Sequence, residues 1–246
     1  MEPIFRQTYE ISAIHLDRHG RIKPSVILFF AQEAAGGHCS HLALDWDTLA
    51  KRNLFWAVIR HRVQVTRLPV LGETITVETW PMPTTRSAFP RSTVAYDNKG
   101  NEVFRSISLW VLMDTQTRAM VLPGKSGIEL IGTLRGNELA PPSSILPKPL
   151  DNTICRRVGY TELDRNGHMN NTRYLDWIDD LLPSAFHAEH PVREFTICYL
   201  SEAREGQKID LNWQITDGPC LQVDGHRERT DVPGKQERVF SAQVCF

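Results

Sequence analysis

The stretch that decides the fold is LDRHG at residues 16–20, because it recurs as LDRNG at residues 163–167. The two copies are offset by 147 positions (164 − 17). A helical, apolar-rich segment follows each copy, from residue 25 to about 35 in the first half and from about 172 to 182 in the second. Self-similarity over so long a period indicates a duplicated structural unit. The sequence therefore predicts a chain built from two related units.

Strand-like segments follow each predicted helix in the same order. They are residues 57–65, 73–80 and 103–113 in the first half and residues 195–200, 208–215 and 239–246 in the second. DNKG at residues 97–100 adds a hairpin turn. One helix followed by a run of antiparallel strands, twice in one chain, predicts an α+β class: a tandem, or double, hot-dog fold whose antiparallel sheets each wrap a central helix. Because the strands do not alternate with helices, a doubly wound parallel sheet is disfavoured.

The two units are predicted to meet near residue 150. The segment from Asp114 to Asn152 contains five prolines and several glycines, a composition typical of a connector. We therefore assign residues 1–150 to the first unit, with a connector at about 114–150, and residues 151–246 to the second. Aligning Gly72 with Gly206 gives an offset of 134 (206 − 72), so the second unit is the shorter one.

Composition excludes several classes of protein. With 246 residues and 41% hydrophobic content the chain can bury a sizeable core, which excludes intrinsic disorder. Lys and Arg number 28 against 29 for Asp and Glu, so no overall field favours nucleic acid or a membrane surface. The longest apolar runs, residues 26–31 and 54–59, are too short to span a bilayer, and no secretory signal is visible. We expect a cytoplasmic protein that binds neither nucleic acid nor membrane.

Familiar motifs of covalent, nucleotide and metal chemistry are missing. The Gly-x-Ser-x-Gly motif of serine hydrolases is absent, because Ile128 stands where its last glycine belongs. The same stretch is not a phosphate-binding loop, because Ala119 replaces the first glycine of that motif. His38 and His41 lack a nearby third zinc ligand, so we interpret both as residues of a helix surface. The five cysteines are odd in number and far apart, which predicts reduced, mostly buried thiols. We expect no cofactor and no metal.

The polar cluster at the entry to the second helix carries the chemical signal. If this segment is extended, Asp164, Asn166 and His168 share one face and can perform acid–base work. Asn170 and Asn171 are helix-capping residues, so the N–H groups of the helix start are expected beside the cluster as oxyanion donors. The competing interpretation is a simple turn followed by a helix cap.

A second element favours the catalytic interpretation. Glu202 lies at the end of an apolar strand, where an acid needs an explanation. Under the repeat alignment its counterpart is Leu68, and His168 aligns with Arg21. We therefore infer that the second unit catalyses and the first does something else.

At these residues the chain resembles the acyl-acyl-carrier-protein thioesterases, double hot-dog enzymes that release fatty acids from their carrier. The segments that carry the resemblance are D-x-N-x-H-x-N-N-x-x-Y at 164–174, Y-x-x-E at 199–202, Trp56 with 63–67, 78–81, Arg86, Arg91 and 108–112. The resemblance implies that Asp164, Asn166, His168 and Glu202 are the catalytic residues. Ala203 stands where plant members have a cysteine once proposed as nucleophile, which argues against cysteine chemistry.

The hypothesis for mechanism is general-base hydrolysis. Glu202 activates water, Asn166 and His168 orient the reactants, and Asp164 holds those two side chains in place; a glutamyl anhydride is the alternative within the same hypothesis. The first unit is expected to bind the acyl chain, with substrate contacts from Val26, Phe29, Trp56 and Trp80, in addition to Asn170 and Asn171 of the second.

An acyl-carrier protein bearing a fatty acyl group is the expected partner. Carrier proteins are acidic, so a basic surface is predicted, formed by Arg60, His61, Arg62, Arg86, Arg91 and Arg204. An acyl-CoA thioesterase is the main alternative; a hot-dog dehydratase or hydratase and a non-catalytic acyl-binding protein are weaker ones. Monomer and homodimer both remain open.

Overall fold

The computed structural model describes residues 3–216, 218–229, 232 and 234–246, and the chain divides into two compact units, Met1–Pro142 and Ser143–Phe246. The helices are α1 (Pro24–His41), α2 (Trp46–Ala50), α3 (Pro123–Ser126), α4 (Arg173–Asp179) and α5 (Ser184–Glu189). The strands are β1 (Phe5–Glu10), β2 (Leu54–Val65), β3 (Thr74–Pro81), β4 (Phe89–Asp97), β5 (Glu102–Asp114), β6 (Met120–Val121), β7 (Asn152–Arg157), β8 (Glu194–Tyr199), β9 (Lys208–Thr216), β10 (Cys220–Glu228) and β11 (Gln236–Cys245).

The first unit is an antiparallel sheet with one long helix packed on it. Its strands lie in the order β1-β3-β4-β5-β2, and β6 extends the β5 hairpin. Helix α1 packs against β1 and β3 and buries Ile27, Phe30 and Ala34. Phe29 lies on the side of α1 that faces solvent and is 43% exposed. The helix covers the sheet with one face and leaves the other to solvent.

The second unit repeats the plan with a shorter helix. Its sheet order is β8-β11-β10-β9-β7, again antiparallel. Helix α4 packs on this sheet through Tyr174, whose ring centroid lies 4.8 Å from that of Phe240 on β11 and 5.5 Å from that of Tyr199 on β8. The α+β double hot-dog prediction is confirmed.

The internal repeat is confirmed at the level of single hydrogen bonds. Each unit has a one-turn 3₁₀ helix at equivalent positions, Ala13–His15 and Tyr160–Glu162. The N–H of Lys23 donates to the carbonyl of His15 at 3.0 Å, and the N–H of Asn170 donates to the carbonyl of Glu162 at 2.8 Å. Both pairs are related by the offset of 147 that the sequence predicts.

The predicted connector needs correction. Strand β5 continues to Asp114, and β6 and α3 lie inside the segment that we interpreted as connector, since two residues of β6 complete a hairpin with β5. The described chain between residues 127 and 151 contains no helix or strand.

The prediction of reduced cysteines is wrong for one pair. Cys220 at the start of β10 and Cys245 at the end of β11 are register partners and form a disulfide, with a Cα–Cα distance of 4.1 Å. Spacing along the sequence could not reveal this pair, because antiparallel register brings together residues that are 25 positions apart. Cys39, Cys155 and Cys198 are free thiols.

Within the residues that the structure describes, no helix is both long enough and apolar enough to cross a membrane.

Candidate active site

The segment that carries the polar cluster is a tight turn. The N–H of Asp164 donates to the carbonyl of His168 at 2.7 Å, and Asp164 Oδ1 accepts the N–H groups of Asn166 (2.8 Å) and His168 (3.2 Å). Gly167 takes a left-handed conformation with φ of +75°, which glycine adopts without strain. The expectation of an extended segment is therefore wrong, since the carboxylate satisfies the N–H groups of the turn.

The first unit contains the same turn. Asp17 Oδ1 accepts the N–H groups of His19 (2.8 Å) and Arg21 (2.9 Å), and the N–H of Asp17 donates to the carbonyl of Arg21 at 2.7 Å. Asp17 and Asp164 thus stabilise equivalent turns in the two units. The Asp164 carboxylate accepts hydrogen bonds from main-chain N–H groups of its own turn. The Asn166 side chain is exposed, and its Nδ2 lies 3.5 Å from Asp164 Oδ2.

The turn places His168 against Glu202. A β-bridge pairs His168 with Arg204, and the N–H of Met169 donates to the carbonyl of Ala203 at 2.8 Å, so the two segments run side by side. As a result His168 Nε2 lies 3.1 Å from Glu202 Oε2. The histidine side chain is 12% exposed and the carboxylate 37%, so both can be reached from solvent. The structure therefore brings these two of the predicted site residues into contact, and their role in catalysis stays a prediction.

A half-buried arginine that sequence reasoning missed holds the Glu202 loop. Arg227 Nη1 donates to the Glu202 carbonyl at 2.5 Å and to Gln207 Oε1 at 2.6 Å, and Nη2 donates to Ser201 Oγ at 2.9 Å. Glu237 pairs with the same guanidinium from β11. Only the register of β10 shows that Arg227 lies under this loop, and β10 was not among the predicted strands.

The entry to α4 lies on the other side of the turn. Asn170 Oδ1 accepts the N–H and the hydroxyl of Thr172, both at 2.9 Å, as a helix cap does. The Tyr199 hydroxyl donates to the Asn171 carbonyl at 2.8 Å and so fixes that peptide. In the described part of the chain the N–H of Asn171 has no acceptor. Its counterpart in the first unit is Pro24, which has no N–H.

Two buried tyrosines border the site. Burial raises the pKa of Tyr199 well above its usual value, and burial likewise raises the pKa of Tyr174, which lies in the electrostatic field of Glu202 and Arg227. Both hydroxyls therefore stay protonated at neutral pH, and that of Tyr199 donates to the Asn171 carbonyl.

The residues predicted for acyl binding in the first unit are spread over three elements. Val26 is half-buried and Phe29 exposed on α1. Trp56 on β2 donates from Nε1 to the Leu44 carbonyl at 3.1 Å. Trp80 on β3 is fully buried beneath the guanidinium of Arg135, 5.0 Å from its ring centroid. Their role in binding stays a prediction.

Three histidine and arginine assignments need correction. His38 is not on a helix surface but 3% exposed, because Arg91 and the ring of Phe5 cover it. His61 and Arg91 are each 5% exposed and cannot belong to a basic docking surface. Arg86 and Arg204 are exposed, and Arg60 and Arg62 half-buried. No group of three or more His, Cys, Asp or Glu side chains suited to a metal ion occurs in the described ranges.

Comparison with known proteins assigns a family to the chain. The family model of the acyl-ACP thioesterase N-terminal domain matches residues 2–122, and that of the acyl-ACP thioesterase C-terminal domain matches residues 151–237. Among curated relatives, the chloroplastic dodecanoyl-[acyl-carrier-protein] hydrolase of Cinnamomum camphora is 28% identical over 214 residues, covering 81% of this chain and 56% of its own length. The chloroplastic palmitoyl-acyl carrier protein thioesterase of Gossypium hirsutum is 26% identical over 229 residues, covering 87% and 55%. The chain thus spans somewhat more than half the length of these relatives.

Solved structures share the fold. An acyl-ACP thioesterase from Bacteroides thetaiotaomicron superposes with a TM-score of 0.88 at 23% identity and covers 99% of this chain and 98% of its own. The 12:0-ACP thioesterase from Umbellularia californica gives a TM-score of 0.82 at 23% identity, covering 99% and 97%. With both family models matched in order along the two units, the chain belongs to the acyl-ACP thioesterase family.

Proposed function

We propose that this chain hydrolyses the thioester of acyl-acyl-carrier protein and releases a free fatty acid, with His168 and Glu202 as the reacting pair. The observation that carries the proposal is the distance of 3.1 Å between His168 Nε2 and Glu202 Oε2. His168 lies on a turn that the first unit also contains. There the equivalent positions hold Arg21 and Leu68, which cannot perform acid–base chemistry at neutral pH. The unit with the pair catalyses, and the unit without it binds the acyl chain.

The Glu202 carboxylate acts as the general base. It takes a proton from a water molecule while the water oxygen bonds to the thioester carbonyl carbon. The carbon–sulfur bond then breaks, and the proton returns from Glu202 to the departing thiolate. His168 donates from Nε2 to Glu202 Oε2, which fixes the direction of the carboxylate; Asp164 positions His168 through the turn, and Asn166 orients the reactants.

Negative charge that develops on the carbonyl oxygen needs a donor. The N–H of Asn171 fits this role, because it has no acceptor in the described chain and the Tyr199 hydroxyl holds its peptide in place. One oxyanion donor contributes about 2.7–4 kcal/mol to transition-state stabilisation. Pro24 denies the first unit such a donor.

A serine or cysteine nucleophile is disfavoured at this site. Ala203 follows Glu202, and the Ser201 hydroxyl accepts a hydrogen bond from Arg227. A covalent route would have to use Glu202 itself, through a mixed anhydride. Hydroxylamine added during turnover would convert such an anhydride to a hydroxamate on Glu202, detectable by peptide mass spectrometry; general-base catalysis leaves that peptide unmodified.

The test is thiol release from a panel of acyl chains, each presented on acyl-carrier protein and on coenzyme A. We expect faster hydrolysis of the carrier ester. Glu202→Gln should lower kcat by about 10²–10⁴-fold, with an unchanged melting temperature. Glu205→Gln, an exposed acid on the same loop, is the matched control and should retain turnover.

Three outcomes would contradict parts of this proposal. Turnover near that of the wild type in folded Glu202→Gln would exclude the general base. Preference for coenzyme A esters would exclude the carrier protein as the partner. Binding of every ester without hydrolysis would indicate an acyl-binding protein.

We further infer that the carrier docks by charge and that the reaction takes place in the cytoplasm. Arg86 and Arg204 are exposed and Arg60 and Arg62 half-buried; Arg60 also donates to the Pro142 carbonyl, and Arg204 Nη2 lies 4.0 Å from Glu202 Oε2. The apparent KM for the carrier ester should therefore rise with ionic strength. A KM that does not change with salt would contradict docking by charge.

A further inference from the structure

The first unit contains a cavity that the proposed mechanism does not use. Its volume is about 310 Å³, and none of the four residues predicted for acyl binding in this unit lines it. Much of its wall is apolar, formed by Leu42, Leu44, Pro81, Ile128 and Leu130, and the wall also contains His38, Arg52 and Glu129. A cavity with such a wall accommodates an aliphatic group.

A buried cation lies at this wall. Arg91 on β4 is 5% exposed, and its Nη1 donates to His38 Nδ1 at 3.2 Å and to Thr79 Oγ1 at 3.3 Å. His38 is a lining residue of the cavity. Arg91 is also the register partner of Pro81, another lining residue, and register partners in an antiparallel pair project to the same face of the sheet. The hydrogen bond to His38 and the register with Pro81 thus place Arg91 directly behind two lining residues of the cavity, although Arg91 is not itself a lining residue.

Arg91 is more deeply buried than Arg67, Arg227 and Arg238, yet in the described chain those three arginines each pair with an acid and Arg91 does not. Arg67 pairs with Glu73 and Asp97, Arg227 with Glu237, and Arg238 with Asp224. Among the described residues no carboxylate lies within ion-pair distance of Arg91, whose remaining neighbour is the Cys39 thiol. A buried charge without a counter-ion is destabilising, and buried charges in proteins are ordinarily paired.

We propose that the cavity of the first unit binds an aliphatic carboxylate, whose oxygens accept hydrogen bonds from Arg91 while its chain packs against Leu42, Leu44 and Ile128. The carboxylate supplies the missing counter-ion, and the planar guanidinium is suited to its two oxygens. This inference goes beyond the proposed hydrolysis and stands without it. Two sources share the chemistry: a free fatty acid, and the distal carboxylate of a dicarboxylic acyl chain.

Calorimetric titration with decanoate and with decanol, a ligand of equal chain length without charge, tests the proposal. We expect decanoate to bind at least tenfold more tightly than decanol. Arg91→Met should weaken decanoate binding about ten- to a hundredfold, the loss of one charge-assisted hydrogen-bonded contact, and leave decanol binding unchanged. Arg52→Met removes an arginine that lines the cavity directly but is exposed to solvent, and should have little effect on decanoate. Equal affinity for the two ligands, or a loss confined to Arg52→Met, would overturn the proposal.

The fold of the variants is checked by thermal unfolding. Arg91→Met should melt at a higher temperature than the wild type without ligand, because an uncompensated buried charge is removed. If Arg91→Met does not fold, Arg91→Lys keeps the charge without the planar fork and should bind decanoate with intermediate affinity. Wild-type affinity in Arg91→Lys, or no rise in the wild-type melting temperature on adding decanoate, contradicts the proposal.

A kinetic arm separates the two sources. If the ligand is the distal carboxylate of a substrate, an ω-carboxydecanoyl carrier ester should have a higher kcat/KM than the decanoyl ester, and Arg91→Met should abolish the difference. If it is a free acid, the two esters should not differ and decanoate binding should persist. All titrations are repeated on Glu202→Gln, so that failure of the hydrolysis proposal leaves the binding result intact.

Discussion

Asp164, which the sequence places among the catalytic residues, contributes by accepting hydrogen bonds from the main chain of its own turn. Its Oδ1 accepts two N–H groups of the turn, as Asp17 does in the first unit, where Arg21 and Leu68 stand at the positions equivalent to His168 and Glu202. Its contribution to hydrolysis is therefore positional. The sequence predicts that Asp164 holds its neighbours in place, and the turn shows that it does so through main-chain N–H groups, which a side-chain pattern cannot reveal.

Replacing each aspartate separates folding from chemistry. Asp17→Ala and Asp164→Ala should each lower the free energy of unfolding by about 1.5–3 kcal/mol per lost charge-assisted bond, measured by denaturant titration. Asp164→Ala alone should also lower kcat, because His168 is then released from Glu202. Asp164→Asn keeps an acceptor oxygen and should restore most of both. An equal loss of kcat in Asp17→Ala would contradict the assignment.

His61 makes the first unit sensitive to acid. Complete burial lowers the pKa of His61 from 6.5 to about 3, so the unfolded chain binds a proton below pH 6.5 that the folded chain does not accept until about pH 3. The stabilisation is therefore complete above pH 6.5 and declines as the pH falls towards 3.

Unfolding at two pH values measures this effect. Between pH 7.5 and pH 5.0 the wild type should lose about 2 kcal/mol more than His61→Gln, whose amide can still contact Ser106 Oγ. The exposed His41→Gln serves as control and should follow the wild type. Equal pH slopes in wild type and His61→Gln would show that the imidazole is not buried in its neutral form.

At the scale of elements, the strands with regular apolar patterning were predictable and the others were not. The sequence predicts β2, β3, β5, β8, β9 and β11 to within a few residues. Strand β4 was missed because Pro90 and Arg91 interrupt its pattern. Strands β1 and β7 lie at sheet edges, where one side has no neighbour and few apolar residues are needed. Strand β10 carries Gly225 and Arg227, whose roles depend on packing and register.

Helix α1 contains two adjacent glycines with opposite roles. A Cβ at Gly36 would meet nothing within 4 Å, whereas a Cβ at Gly37 would come within 2.7 Å of the Phe5 ring on β1. Gly36→Ala should therefore raise the free energy of unfolding by about 0.5–1 kcal/mol, and Gly37→Ala should lower it by about 1–3 kcal/mol. Denaturant titration of both variants tests this pairing of α1 with β1. Stabilisation by both substitutions would mean that Phe5 does not pack there.

At the scale of the whole molecule, the duplicated plan could be derived from the sequence, while the contacts that depend on register could not. The repeat at 16–20 and 163–167 predicted two units, and the unequal residues at equivalent positions predicted which unit carries the His168–Glu202 pair. The Arg227 contacts, the buried Arg91 and the disulfide each join residues far apart along the chain. Nothing in their local sequence marks them.

The disulfide supplies a test at this scale. Joining residues 25 positions apart restricts the unfolded chain, so reduction of the Cys220–Cys245 bond should lower the free energy of unfolding by about 3 kcal/mol. Cys220→Ser should match the reduced wild type, and Cys155→Ser, at an exposed free thiol, should behave like the oxidised wild type. Identical denaturation midpoints with and without reductant would contradict the pairing.

The turn shared by the two units also makes the first unit a ready host for grafting. Its turn already holds the hydrogen bonds through which Asp164 positions His168 in the second unit, so this part of a new centre needs no loop redesign. Arg21→His and Leu68→Glu would transplant the pair, and Pro24→Asn would add the missing main-chain donor. The variant with only Arg21→His and Leu68→Glu should show no hydrolysis. Thiol release by the triple variant would measure how much activity the three side-chain changes supply on the existing turn.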